Sequence, residues 1–129
     1  MHVRAALSCV AVACAMSGCA TDPPAPNSSS TPPATAQPGT DGVQHVTIDG
    51  TDALTFTPNV IDAHVGTIAI TMKVTGTTPH TLTFDDLRLG TGYVAGHASK
   101  TLIVHVTKSG TYSFDCDYHP YMTGTLVVT

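Results

Sequence analysis

The sequence predicts an all-β fold, a Greek-key β-sandwich of seven to eight short strands, and three observations predict it. Apolar side chains recur with a period of two across residues 43–129, glycines punctuate the runs, and helix-forming residues are scarce, with no Glu anywhere in the chain. Alternation of this kind sets one face of a strand against a core and the other in water. Thr and Val abound, and β-branched side chains suit a pleated surface better than a helix.

The elements follow in order. Val46 and Ile48 open the pattern, and Ile68, Ile70, Met72 and Val74 then alternate with Ala69, Thr71 and Lys73. His80, Leu82 and Phe84 share one parity, as do Leu102, Val104 and Val106. Tyr112, Phe114 and Cys116 form the next apolar face, and residues 125–129 supply the last run. Gly66, Gly76, Gly90 and Gly110 fall where turns are needed. A domain this small buries only about 60% of its unfolded surface, so a bound ligand that prefers the folded state would add useful stability.

The first forty residues read differently. Residues 1–19 are expected to be an export signal: His2 and Arg4 make a weakly basic start, and the apolar run 5–16 is too short to span a bilayer. It ends in Met16-Ser17-Gly18-Cys19, which resembles a bacterial lipoprotein lipobox with Cys19 as the lipid anchor. The alternative is an ordinary secretory signal, with Cys19 lost or free. Residues 20–42 hold six of the nine prolines and almost no large apolar side chain. They are expected to be a stiff, disordered tether, reaching on the order of 70 Å at about 3.1 Å per residue. The folded domain is placed at 43–129.

Composition excludes several functions. Nine acids against five bases give the 129 residues a net charge of −4, and no basic stripe exists to displace counterions, so nucleic acid is not an expected partner. The four cysteines suggest a disulfide framework until their positions are considered. Cys9 and Cys14 leave with the signal and Cys19 is lipidated, so Cys116 remains the one thiol. Neither a phosphate-binding glycine loop nor a Cys-x-x-Cys motif is present. A binuclear copper centre needs two cysteines in one loop, which holds one. No catalytic residues are expected, and the chain reads as a non-enzyme.

The chemistry concentrates near the C-terminus. Cys116 ends a strand on the core-facing parity, His119 follows three residues later, Pro120 tightens the turn and Met122 leads into the final strand. His80, on a core parity of its own, offers a fourth donor. Two imidazoles with a thiolate and a weak thioether suit copper, whereas zinc prefers four strong ligands. A buried spectator thiol is the bland alternative for Cys116, but a lone thiol in an oxidising compartment is a liability unless it is used. His45, His64 and His105 fall on outward parities and His97 lies in a glycine-rich loop, so these four are expected at the surface. Asp85-Asp86 reads as a solvated turn.

These motifs resemble the cupredoxins, specifically the amicyanin-like or plastocyanin-like blue copper proteins. The resemblance spans essentially all of residues 43–129. It rests on Thr57-Pro58, Val65-Gly66, Pro79-His80, Gly110-Thr111-Tyr112 and the compact Cys-x2-His-x2-Met-x-Gly run from Cys116 to Gly124. It implies one type 1 copper held by His80, Cys116, His119 and axial Met122, carrying single electrons by Cu(II)/Cu(I) cycling. Electrons would pass through the solvent-facing edge of His119, inside an apolar docking surface of Pro79, Pro120 and Tyr121. The implied partner is a redox protein (a cytochrome, oxidase or dehydrogenase) and the implied state a monomer on the outer face of the membrane or in the periplasm. Copper sequestration or delivery with the same ligands is the alternative.

Two positions depart from the family pattern. An Asn usually follows the upstream histidine, and a Thr or Ser often follows the cysteine; here they are Thr81 and Asp117. A swapped tie is expected, with the Thr81 hydroxyl donating to the Asp117 carboxylate and joining the two ligand loops. The usual core Trp is absent, which is expected to loosen the metal-free form.

Overall fold

The computed structural model describes residues 31–129. The expected signal, the lipobox Cys19 and the first part of the tether lie outside the described residues. Eleven strands run through the described part with no helix among them. Six have four residues or more: β3 (Gln44–Gly50), β5 (Val60–Ala63), β6 (Gly66–Val74), β9 (Ser99–Val106), β10 (Gly110–Asp115) and β11 (Thr123–Val128). The other five are two-residue pieces: β1 (Ala34–Thr35), β2 (Gln37–Pro38), β4 (Phe56–Thr57), β7 (Thr83–Phe84) and β8 (Leu89–Gly90). The count exceeds the expected seven to eight because a pair of residues shows no period.

Two mixed sheets form the open sandwich. One runs β1-β5-β11-β10-β7-β8; the other runs β2-β3-β6-β9, with β4 against β3. Parallel pairing of β3 with β6 and of β5 with β11 accompanies antiparallel β6–β9 and β10–β11 pairs. The alternating positions named above do point inward: Val46, Ile48, Ile68, Ile70, Met72, Val104, Leu126 and Val128 are all core residues. At the centre, Phe114 meets Phe56 edge-on at 5.2 Å and Phe84 at 5.3 Å. These three buried rings form the aromatic centre of the core.

The paired strands begin earlier than residue 43. β1 lies parallel to β5, β2 lies antiparallel to β3, and Ala36 between them is buried and donates its N–H to Asp62 O. The Pro-rich composition hid this, because backbone pairing at an edge needs few apolar side chains.

The sandwich fixes one end of the molecule. The β10–β11 ladder closes at Asp115–Thr123, so residues 116–122 form the loop beyond it. The 75–79 loop leaves β6 at the same end and delivers His80, which bridges to Val94 through two backbone hydrogen bonds. Among the described residues no helix is long and apolar enough to cross a membrane.

Candidate metal centre

His80 is fully buried, and the hydrogen bond behind its ring determines what its front can do. Nε2–H donates to the Thr51 carbonyl at 3.0 Å. A carbonyl only accepts, so the proton sits on Nε2 and the Nδ1 lone pair faces the site. Burial, reinforced by the neighbouring His119, holds His80 below the ordinary imidazole value, against weaker upward pulls from Thr51 and Asp52. The neutral form is the one that binds metals.

The other donors come from a loop that closes on itself. Cys116 N–H donates to Met122 O at 3.0 Å, His119 N–H to Cys116 O at 3.2 Å, and Met122 N–H to His119 O at 3.1 Å. Those bonds turn the spacing of Cys116, His119 and Met122 into a fixed geometry. Sγ of Cys116 lies 3.4 Å from His119 Nδ1 and 3.8 Å from His80 Nδ1, and the two Nδ1 atoms are 3.2 Å apart. The point in their plane equidistant from these three atoms is about 2 Å from each, close to a metal–nitrogen bond length and a little inside a metal–sulfur one. Met122 is buried in the same core cluster as Cys116. The Thr81 N–H donates to Sγ at 3.4 Å and so ties the 80–81 segment to the Cys116 side chain.

Thr81 and Asp117 do join the two loops, but through other atoms than expected. The Asp117 N–H donates to the Thr81 hydroxyl oxygen at 2.8 Å, while the Asp117 carboxylate accepts from the Thr83 hydroxyl at 3.1 Å. The β10–β7 register explains the change. It sets Thr83 opposite Asp115 and so carries Asp117 alongside buried Thr81, whose hydroxyl meets the Asp117 backbone N–H, while the exposed carboxylate reaches back to Thr83.

Of the expected docking residues, Tyr121 is 86% exposed, Pro120 is exposed and Pro79 half-buried. Sequence reasoning missed Tyr93 and Tyr118, two exposed rings in edge contact at 6.3 Å. Tyr93 adjoins Val94, the partner of His80, and Tyr118 sits between Cys116 and His119. Adjacency to ligands was the available signal for Tyr118. Thr51 carried none.

The remaining histidines are at the surface, as their parity indicates. His45 pairs with Asp41, His64 contacts Thr129 and His105 contacts Thr67. Among the described residues, His80, Cys116 and His119 are the one group of three whose ligand atoms converge, all within 4.8 Å. A separate polar groove is lined by Asp85, Asp86, Phe114 and Asp115, and none of the four expected ligands borders it. Burial there, then Asp85 and Asp117, pushes the Asp115 carboxyl up.

A family model described as a cupredoxin-like domain matches residues 10–128. The chain belongs to the cupredoxin-like family. Several solved structures are similar in fold. The Cu(I)-bound metal-binding domain of the Cu(I)-exporting P-type ATPase CopA from Streptococcus pneumoniae superposes with a TM-score of 0.67 at 17% identity, covering 77% of this chain and 97% of that one. Auracyanin from Roseiflexus castenholzii gives 0.57 at 18%, covering 66% and 96%. A reduced amicyanin mutant gives 0.56 at 23%, covering 76% and 92%. No curated protein matches the chain. Within this cupredoxin frame, the His80-Cys116-His119-Met122 set fits one type 1 copper: two imidazoles and a thiolate converge at bonding distance, with a buried thioether in the same loop.

Proposed function

We propose that the protein is a membrane-tethered, extracytoplasmic type 1 copper protein that carries single electrons. The observation that carries this reading is the convergence of the His80, Cys116 and His119 donor atoms at the end of the sandwich where Tyr121 stands exposed. Bound copper supplies a one-electron Cu(II)/Cu(I) couple. The chain's part is to hold the donors still. Thr51 fixes the His80 ring, the Thr81 N–H steadies the Cys116 sulfur, and the self-closed 116–122 loop keeps His119 and Met122 in register. Donors held in one compromise arrangement move little when the charge at the site changes, which keeps reorganisation small.

His119 is the half-exposed imidazole and so the exit for the electron, with Pro79, Pro120 and Tyr121 around it as a small docking surface. Transient redox partners need only a modest interface, because they must also leave. Cupredoxins are generally electron carriers rather than enzymes, and membership of that family supports the carrier reading. Cys19 supplies the lipid anchor, and the segment after it sets the domain off the membrane.

Copper sequestration or delivery is the second reading. Two sulfur donors also suit Cu(I), and the same fold serves as a Cu(I)-bound domain in a copper exporter. Copper reconstitution of the full chain separates the two. An intense thiolate-to-Cu(II) absorption, abolished in Cys116→Ser, with reversible one-electron voltammetry supports the carrier. Tight Cu(I) binding with no Cu(II) colour supports handling and overturns it.

A further inference from the structure

The Thr51 carbonyl that orients His80 belongs to a turn whose tip is held to the 77–78 backbone through one side chain, Asp52. Residues 51–54 close their own turn, with the Leu54 N–H donating to Thr51 O at 3.0 Å and the Thr51 N–H to Thr55 O at 3.1 Å. That turn lies along residues 75–80. At its root, Gly50 O accepts the Thr75 N–H at 3.0 Å. Beyond it, the Asp52 carboxylate accepts the Thr78 N–H at 2.9 Å through Oδ1 and the Thr77 N–H at 3.3 Å through Oδ2. Gly76 has no Cβ to collide with that carboxylate, and Gly50 has none to collide with the His80 ring. The two amides are the last before Pro79-His80.

We propose that Asp52 is a positioning residue for the metal centre: by clamping the Thr77 and Thr78 amides to the turn that presents the Thr51 carbonyl, it locks the His80 imidazole in its ligating orientation. This rests on the reading of His80 as a copper ligand. The geometry separates two tasks. The turn's internal bonds form without Asp52; its seating against the 77–78 backbone does not. A carboxylate accepting two amides is a charge-assisted clamp, stronger than the neutral bonds around it, and its pKa is lowered chiefly by the Thr78 amide. The row of bonds ends on His80 Nε2, so loosening the clamp moves the acceptor away from that ring. The effect then reaches Nδ1, which shares the rigid imidazole.

The test uses the full-length protein with Asp52→Ala, Asp52→Asn and, as an exposed acid elsewhere that also caps an amide, Asp41→Ala. In the copper-free protein, solvent exchange of the His80 Nε2–H is followed by NMR. Asp52→Ala is expected to speed it about tenfold, as loss of a charge-assisted bond requires. Asp52→Asn, which keeps one acceptor oxygen, falls between, and Asp41→Ala matches wild type. Outer partners of a metal ligand are worth about 10–100-fold in affinity, so Cu(II) binding, measured by chelator competition, is expected to weaken about tenfold in Asp52→Ala. Its thiolate-to-Cu(II) band should broaden. Wild-type exchange, affinity and band shape in Asp52→Ala overturn the clamp. Failure of the wild-type protein to bind copper overturns the ligand assignment on which it rests, and that result is read in a different sample.

Discussion

His80 and His119 bring the same atom, Nδ1, to within 3.2 Å of each other, yet the segments that carry them have little in common. His80 is wholly buried, fixed at Nε2 by Thr51, bridged by backbone to Val94 and backed by the Gly50–Asp52 turn. His119 is half-exposed, and among the described residues no protein group hydrogen-bonds its Nε2. Its loop closes on its own backbone and ends in Tyr121, a bulky residue at φ 77°, in the left-handed region. One loop is seated by the rest of the fold; the other is shaped by itself and turned outward. The electron-carrier role proposed above would use both. A ligand that does not move keeps reorganisation low, and a ligand at the surface gives a partner a short route to the metal.

The largest effect that tests this contrast comes from Gly50→Ala. A Cβ at residue 50 would stand 2.9 Å from Cδ2 of the His80 ring. That ring cannot retreat, since it is buried and held from behind. Overpacking of this kind costs about 1–3 kcal/mol. Urea denaturation of the copper-free variant should show that loss, and the copper-loaded variant should show a displaced thiolate-to-Cu(II) band. A Gly50→Ala protein of wild-type stability and colour would mean that the anchored loop is not anchored.

That contact also shows where the sequence stopped being legible. Cys116, His119 and Met122 could be found because their spacing is local and the loop has no room to separate them. His80 could be found because its parity matched Leu82 and Phe84, which are buried beside it. Gly50, Thr51 and Asp52 could not. Thr51 is 29 residues from His80, and they meet only because β3 and β6 run parallel with Gly50 opposite Val74. Local periodicity carries no information on that register. β5 was missed for a related reason: Val60–Ala63 is short, and its place between β1 and β11 comes from two parallel pairings, invisible to hairpin signals. For Thr81 and Asp117 the residue types pointed to a tie between the loops, but which atoms make it depended on where Thr83 lies.

The tie offers the next test, because it is the seam between the two loops. Thr81 is buried and its hydroxyl oxygen accepts the Asp117 N–H, whereas the Asp117 carboxylate is exposed and, among the described residues, accepts from the Thr83 hydroxyl alone. Thr81→Val removes the buried acceptor while keeping the shape, and should cost about 1 kcal/mol in the copper-free protein. Asp117→Asn leaves its backbone N–H in place, so its stability should stay near wild type. Equal losses in the two variants would show that the seam runs through the carboxylate, contrary to the geometry.

The smallest effect has the opposite sign and bears on the outward loop alone. A non-glycine residue in the left-handed region loses about 1–2 kcal/mol to the approach of its Cβ and carbonyl. Glycine there removes that cost but surrenders about 0.5–1 kcal/mol to greater freedom when unfolded. Tyr121→Gly should therefore stabilise the copper-free protein by about 0.5 kcal/mol, read as a higher urea midpoint at unchanged slope. The Tyr121 ring is 86% exposed, so the colour of the loaded protein should not change. The carrier role proposed above gives this exposed ring a use in docking a partner. Electron exchange with a redox partner should accordingly slow while the site itself remains intact. A loss of stability or a shifted absorption band in Tyr121→Gly would place this tyrosine among the supports of the site, and the two loops would then be less different than their geometry indicates.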